Sequence, residues 1–142
     1  MVDLFVDLNA QIGQFPHWLQ YWLTWMQTTL ILVPFFFWKY HEARIWILAQ
    51  LLNFLLGGMV YAAEGLQITK LFGLGHIFWA AAYVYILLRL LKRQIDLTGK
   101  PFYRAWLYIA LATLTISLPL DAYDLAQYAL GTRQPMVEYY TN

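Results

Sequence analysis

Four stretches of this chain contain no Asp, Glu, Lys or Arg: residues 8–38, 45–63, 71–88 and 105–120. A helix that crosses roughly 30 Å of hydrocarbon needs about 20 apolar residues, with about 17 as a lower bound. The first three stretches meet that bound, and the apolar pairs Phe102-Tyr103 and Ala122-Tyr123 extend the fourth. Backbone N–H and C=O groups in lipid must be satisfied within the protein, which leaves helices or closed barrels. The period-2 alternation of a membrane barrel strand is missing from these runs. The expected fold is therefore all-α: an integral membrane four-helix bundle with spans near residues 17–38, 45–63, 73–91 and 105–120.

Composition supports the same reading. Charged residues make up 12% of the chain and hydrophobic residues 61%, whereas a soluble domain carries roughly 25% charged residues. Aromatic residues reach 19%, as suits rings anchored at membrane–water interfaces. With no Cys, disulfides, Cys–metal sites and thiol redox chemistry are excluded. Lys and Arg fall in short loops rather than along one helix face, so no nucleic-acid partner is expected. Membrane lipid is, together with other membrane subunits or a second copy of the chain.

Residues 1–15 read as an amphipathic helix lying in the interface. Asp3, Asp7, Gln11 and Gln14 recur at helical spacing, with Leu4, Phe5, Leu8 and Ile12 opposite. The alternative is a mobile polar terminus. Pro16 then opens the first span. The start of the chain is acidic where a removable signal peptide would be basic, so the first span is expected to stay in the membrane.

The basic residues set the expected orientation. Lys39, Arg44, Arg89, Lys92, Arg93, Lys100 and Arg104 fall on one side of a four-span topology, against Lys70 and Arg133 on the other. The positive-inside rule makes the first side cytoplasmic. The chain then sits in the plasma (inner) membrane as a multi-pass protein with both termini outward, and residues 121–142 form an outward helix and tail.

Small residues mark expected helix contacts: Gly57, Gly58, Ala62 and Ala63, then Ala80 to Ala82, then Ala105, Ala110 and Ala112. Gln27 and Asn53 lie at similar depth in the first two spans, which suggests an interhelical amide hydrogen bond or a polar pathway lining. Thr113, Thr115 and Ser117 can bond back to their own helix.

That topology also gathers titratable groups. His17, Glu64, His76, Asp121 and Asp124 each fall at the outward end of a span. Ionisable groups near a membrane are costly and therefore functional candidates, and imidazoles with carboxylates suit a divalent metal or a proton relay. Structural alternatives exist for each. Pro119 can interrupt the fourth helix, with Asp121 capping a new one from Ala122 to Leu130, Asp124 in its first turn and Gly131 ending it. Glu64 can pair with Lys70, and Arg133 with either aspartate. The two histidines can sit at the interface beside Trp18 and Trp79.

Enzyme signatures are scarce. There is no H-E-x-x-H, no G-x-S-x-G and no phosphate-binding glycine loop, and Gly73-Leu74-Gly75 lacks the rest of a dinucleotide fingerprint. A haem between His17 and His76 has only two histidines to support it. Three functions are compatible with these features: a non-catalytic accessory or assembly subunit of a membrane complex; a small transporter or binding protein for a cation or polar ligand; and a membrane-embedded hydrolase using Asp121 and Asp124.

Overall fold

A computed structural model describes the backbone of residues 2–141 and the side chains of residues 6–140. Met1, Asn142 and the side chains of Asp3, Leu4 and Phe5 lie outside the described residues. The described residues are helical, with no strand. The helices are α1 (Val2–Ile12), α2 (His17–Met26), α3 (Val33–Phe36), α4 (His41–Ala63), α5 (Ile77–Leu91), α6 (Pro101–Ala129) and α7 (Met136–Thr141). A π-helical stretch, Gln27–Leu32, joins α2 to α3, and a 3-10 segment, Lys70–His76, leads into α5. Three helices are long and apolar enough to cross a membrane: His41–Ala63, Lys70–Leu91 and Pro101–Ala129.

The first charge-free run stays helical from 17 to 36 but widens on the way. Pro34 has no N–H, and its ring clashes with the carbonyl four residues back. Ahead of it the ladder shifts register, so that Val33 N–H donates to Thr28 O instead of Thr29 O. Thr29 O loses its α-helical donor to that shift, and its π-helical donor would have been Pro34. Trp106 Nε1 on α6 donates to it at 3.0 Å in a buried bond. A side-chain donor from a neighbouring helix thus fills the gap in the ladder.

Pro119 does not break α6. The helix runs through it for 29 residues, which corrects the expectation of a new helix capped by Asp121. Packing outweighs the one lost hydrogen bond. The residues after Pro119 lie against the 3-10 segment, where a Cβ on Gly73 would sit 3.4 Å from the backbone of Asp121. Gly131, at φ +110, does end the helix turn, and Thr132 N–H returns to Gln127 O at 3.0 Å.

On its other side the 3-10 segment meets α4 more tightly still. A Cβ on Gly75 would lie 3.0 Å from Gly57 Cα. Gly57 is therefore a contact glycine, as its small size suggested. Gly58 has open space beside it and Ala62 is exposed, so that small-residue pair faces away from the protein.

The core lies between α4, α5, α6 and the π-helical stretch, around Leu30, Trp46, Ile86, Leu107 and Leu114. A second cluster of Phe15, Tyr61 and Ile68 holds α1 and α7 to the 64–69 loop. Gln11, assigned to a polar face by spacing, turns inward instead. It donates to Tyr61 Oη and Leu66 O and accepts from Ile68 N–H. A loop whose backbone needs partners recruits the nearest amide.

Candidate functional site

The 3-10 segment is the element that builds the site. At three residues per turn, residues 70, 73 and 76 fall on one line. In an α-helix they would fan apart by about 60° per step. The aligned stripe of Lys70, Gly73 and His76 faces α6. Gly73 lets the backbones approach, and the two flanking side chains reach the two aspartates. Lys70 Nζ pairs with Asp124 at 3.2 Å. His76 Nδ1 lies 3.2 and 3.1 Å from the two oxygens of Asp121. A carboxylate can only accept, so Nδ1 carries the proton and donates. Trp79 stacks on the imidazole at 4.8 Å and fixes its plane.

These pairs form one wall of a cavity of about 910 Å³, within the roughly 300–1,000 Å³ of small-molecule sites. α2 and α6 line two sides of it. They meet where Trp25 Nε1 donates to Thr113 Oγ1 at 3.0 Å and Ser117 Oγ donates to Met26 Sδ at 3.6 Å. Beyond this floor, Trp22 on α2 and Leu120 on α6 line the cavity, and so do Tyr139 and Tyr140 of α7. From Ser117 to Asp124 the wall of α6 rises about 10 Å, at about 1.5 Å per residue. Tyr21, Ile116, Leu120 and Tyr123 are exposed and leave the cavity open along its side. Burial, with the Asp124 charge and Tyr139 nearby, pushes the Tyr140 phenol above its ordinary pKa.

Of the five titratable residues singled out in the sequence, the cavity takes in His76, Asp121 and Asp124 but not His17 or Glu64. His17 is exposed. Glu64 accepts a hydrogen bond from Tyr128 Oη at 2.8 Å. Lys70 pairs with Asp124 rather than with Glu64. Arg133 lies over the Tyr128 ring, 5.3 Å from its centre, so it meets an aromatic face and not either aspartate. Among the described residues no group of three or more His, Asp or Glu is placed to hold a metal ion. Each aspartate has its own basic partner, Lys70 for Asp124 and His76 for Asp121.

The expected Gln27–Asn53 bond is not made. Gln27 is exposed. Asn53 Oδ1 instead accepts from Phe78 N–H at 3.1 Å, one of the first N–H groups of α5 that lack a partner in their own helix. Asn53 Nδ2 is buried with no partner, as are Trp46 Nε1, Gln50 Oε1 and Trp79 Nε1. Thr115 does bond back to Leu111 O, while Thr113 and Ser117 serve the floor contacts with α2.

Sequence reasoning missed a second polar cluster, at the opposite end of the helices. Glu42 is buried at 5% exposure. Its Oε1 pairs with Arg89 Nη1 at 2.8 Å, and its Oε2 accepts from Tyr103 Oη at 2.6 Å. The signal was present: Glu42 is the lone acidic residue among the basic residues of 39–44. Its place in the sequence does not show that the carboxylate turns inward to Arg89 and Tyr103.

No family model, curated protein or solved structure matches this chain, so the reading of the site rests on its geometry.

Proposed function

We propose that this chain is a four-pass membrane protein, without catalytic activity, that binds a small amphipathic molecule in the cavity between α2, α6 and α7. The observation that carries the reading is the cavity's division into an apolar length along Trp22, Met26 and Leu120 and a charged wall at one end. An amphipathic molecule matches that division. Membrane crossing is supported by the three long apolar helices and by the helical run from 17 to 36, whose 20 residues extend about 30 Å. The basic residues at the 37–44 and 92–104 turns favour a cytoplasmic position for that end. The cavity wall, carried by the part of α6 beyond Pro119, then lies at the outward interface, and α1 lies along the same interface.

This reading takes the binding-protein expectation over the other two. The aromatic exterior behind the accessory-subunit expectation is equally what lipid contact demands. The pairing of Asp124 with Lys70 and of Asp121 with His76 argues against the hydrolase reading.

Native mass spectrometry of protein extracted under mild conditions tests the proposal. The expected result is a saturable adduct of an amphipathic small molecule, lost when Leu120→Trp fills the cavity from its rim. Absence of any saturable adduct, or one that survives Leu120→Trp unchanged, would refute it. A reporter fused after Asn142 tests the topology, with periplasmic signal expected in a bacterial host and cytoplasmic signal contradicting it.

A further inference from the structure

We propose that the molecule held in this cavity is an amphiphilic organic cation, an alkylammonium whose head rests against Asp121, Asp124 and the tyrosine rings and whose tail lies along α2. The inference rests on the cavity reading above and adds its charge class.

Unequal access to the two members of the Lys70–Asp124 pair carries the argument. The Lys70 side chain is 3% exposed, and that of its partner Asp124 is 28% exposed. Lys70 is also roofed by aromatic rings, with Nζ 4.0 Å from the centre of Tyr139 and 5.5 Å from that of Tyr123. A molecule entering the cavity therefore meets carboxylate oxygen before ammonium. Among the described residues, Lys70 is the only Lys or Arg lining the cavity, against two aspartates. The wall therefore presents two carboxylates against one ammonium and one imidazole. An anionic head would face those carboxylates without reaching the buried ammonium. A bare metal ion would lack a third ligand among the described residues and would leave the apolar length unfilled.

Aromatic faces supply the rest of the match. Trp18, Tyr21, Trp22, Trp25, Tyr123 and Tyr139 all line the space. An organic cation within about 6 Å of such a ring centre is attracted by the negative face of its quadrupole, most strongly where water is excluded. Entry is available through the exposed side between α2 and α6, so the tail need not leave lipid to reach its place.

The test compares three probes with the same eight-carbon tail: octyltrimethylammonium, octyl sulfate and octyl glucoside. Each is titrated below its micellar concentration into the full chain in nanodiscs of zwitterionic lipid. Tryptophan fluorescence gives the readout, since Trp18, Trp22 and Trp25 line the cavity. The expected result is saturation by the ammonium probe at roughly tenfold lower concentration than by the glucoside, and no saturation by the sulfate. Asp124→Asn should raise the ammonium midpoint. So should Tyr123→Leu, which removes an exposed ring that lines the cavity, while the glucoside midpoint stays put. If sulfate or glucoside saturates as readily as ammonium, the charge class is wrong and the cavity reading survives. If none of the three saturates, both fall.

Discussion

Trp106 Nε1 donates to the backbone oxygen of Thr29 at 3.0 Å, joining α6 to a carbonyl that the wide turn before Pro34 leaves without a backbone donor. The bond explains why a proline in the first charge-free run can be kept without breaking its helix. It also fixes α6 to the π-helical stretch that continues α2.

Trp106→Phe keeps an aromatic ring in the core and removes the donor. The buried oxygen is then unsatisfied, at a cost of about 1–3 kcal/mol. In a Pro34→Ala background, where a new N–H can close the ladder locally, the same substitution should cost less. Unfolding of the four variants in detergent measures the coupling. Equal costs in both backgrounds would remove the proposed link between Pro34 and Trp106.

The two glycine neighbourhoods predict opposite outcomes for one chemical change. Gly75→Ala places a methyl 3.0 Å from Gly57 Cα, where only backbone movement can relieve it, and should destabilise by about 1–3 kcal/mol. Gly58→Ala meets nothing within 4 Å. It should be neutral or stabilise by up to about 1 kcal/mol through helix propensity. Thermal midpoints of the two single variants decide this, and the reverse order would contradict the close approach of Gly75 to Gly57.

Arg89→Met should be among the most damaging single changes. It leaves the buried Glu42 carboxylate without its cation, a loss of about 3–5 kcal/mol. Tyr103→Phe removes one hydrogen bond to the same carboxylate and should cost about 1–3 kcal/mol. Glu42→Gln combined with Arg89→Met should recover part of the loss, because no unpaired charge remains. Denaturant midpoints of the set would show whether charge or packing dominates at this end.

The loop between α5 and α6 predicts a measurable acid transition. Lys100, then the Thr98 N–H, hold the Asp96 carboxyl down at about 2, with Lys100 Nζ at 2.9 Å and Thr98 N at 3.0 Å. A depressed folded value means that the contribution to loop order is present above the ordinary carboxylate value of about 3.9. It is lost as pH falls through about 2. Carboxyl-carbon NMR should find the Asp96 midpoint near that lower value, and Lys100→Ala should move it up. An unmoved midpoint would mean that Lys100 is not the main cause.

Residues far apart in sequence also decide what the cavity is. Lys70 and Asp124 are useful together only because a 3-10 turn aligns residues 70, 73 and 76, and because Gly73 admits the backbone of α6. Along the sequence, nothing assigns Lys70 to Asp124 and His76 to Asp121. The aspartates were legible as polar groups at one end of a span. Their division between two basic partners was not.

The sequence alone marked the bodies of α4, α5 and α6, because their long charge-free runs are apolar enough to cross a membrane as helices. It also marked Gly57 as a contact and Gly131 as a helix end, since both depend on a missing side chain at one position. Tertiary structure alone decided that α6 passes through Pro119, that Asn53 turns to Phe78 N–H instead of Gln27, and that Glu42 lies buried between Arg89 and Tyr103. Each of those outcomes depends on a partner supplied by another helix. Periodicity along one chain says which face a residue occupies, but not which donor or charge stands opposite it.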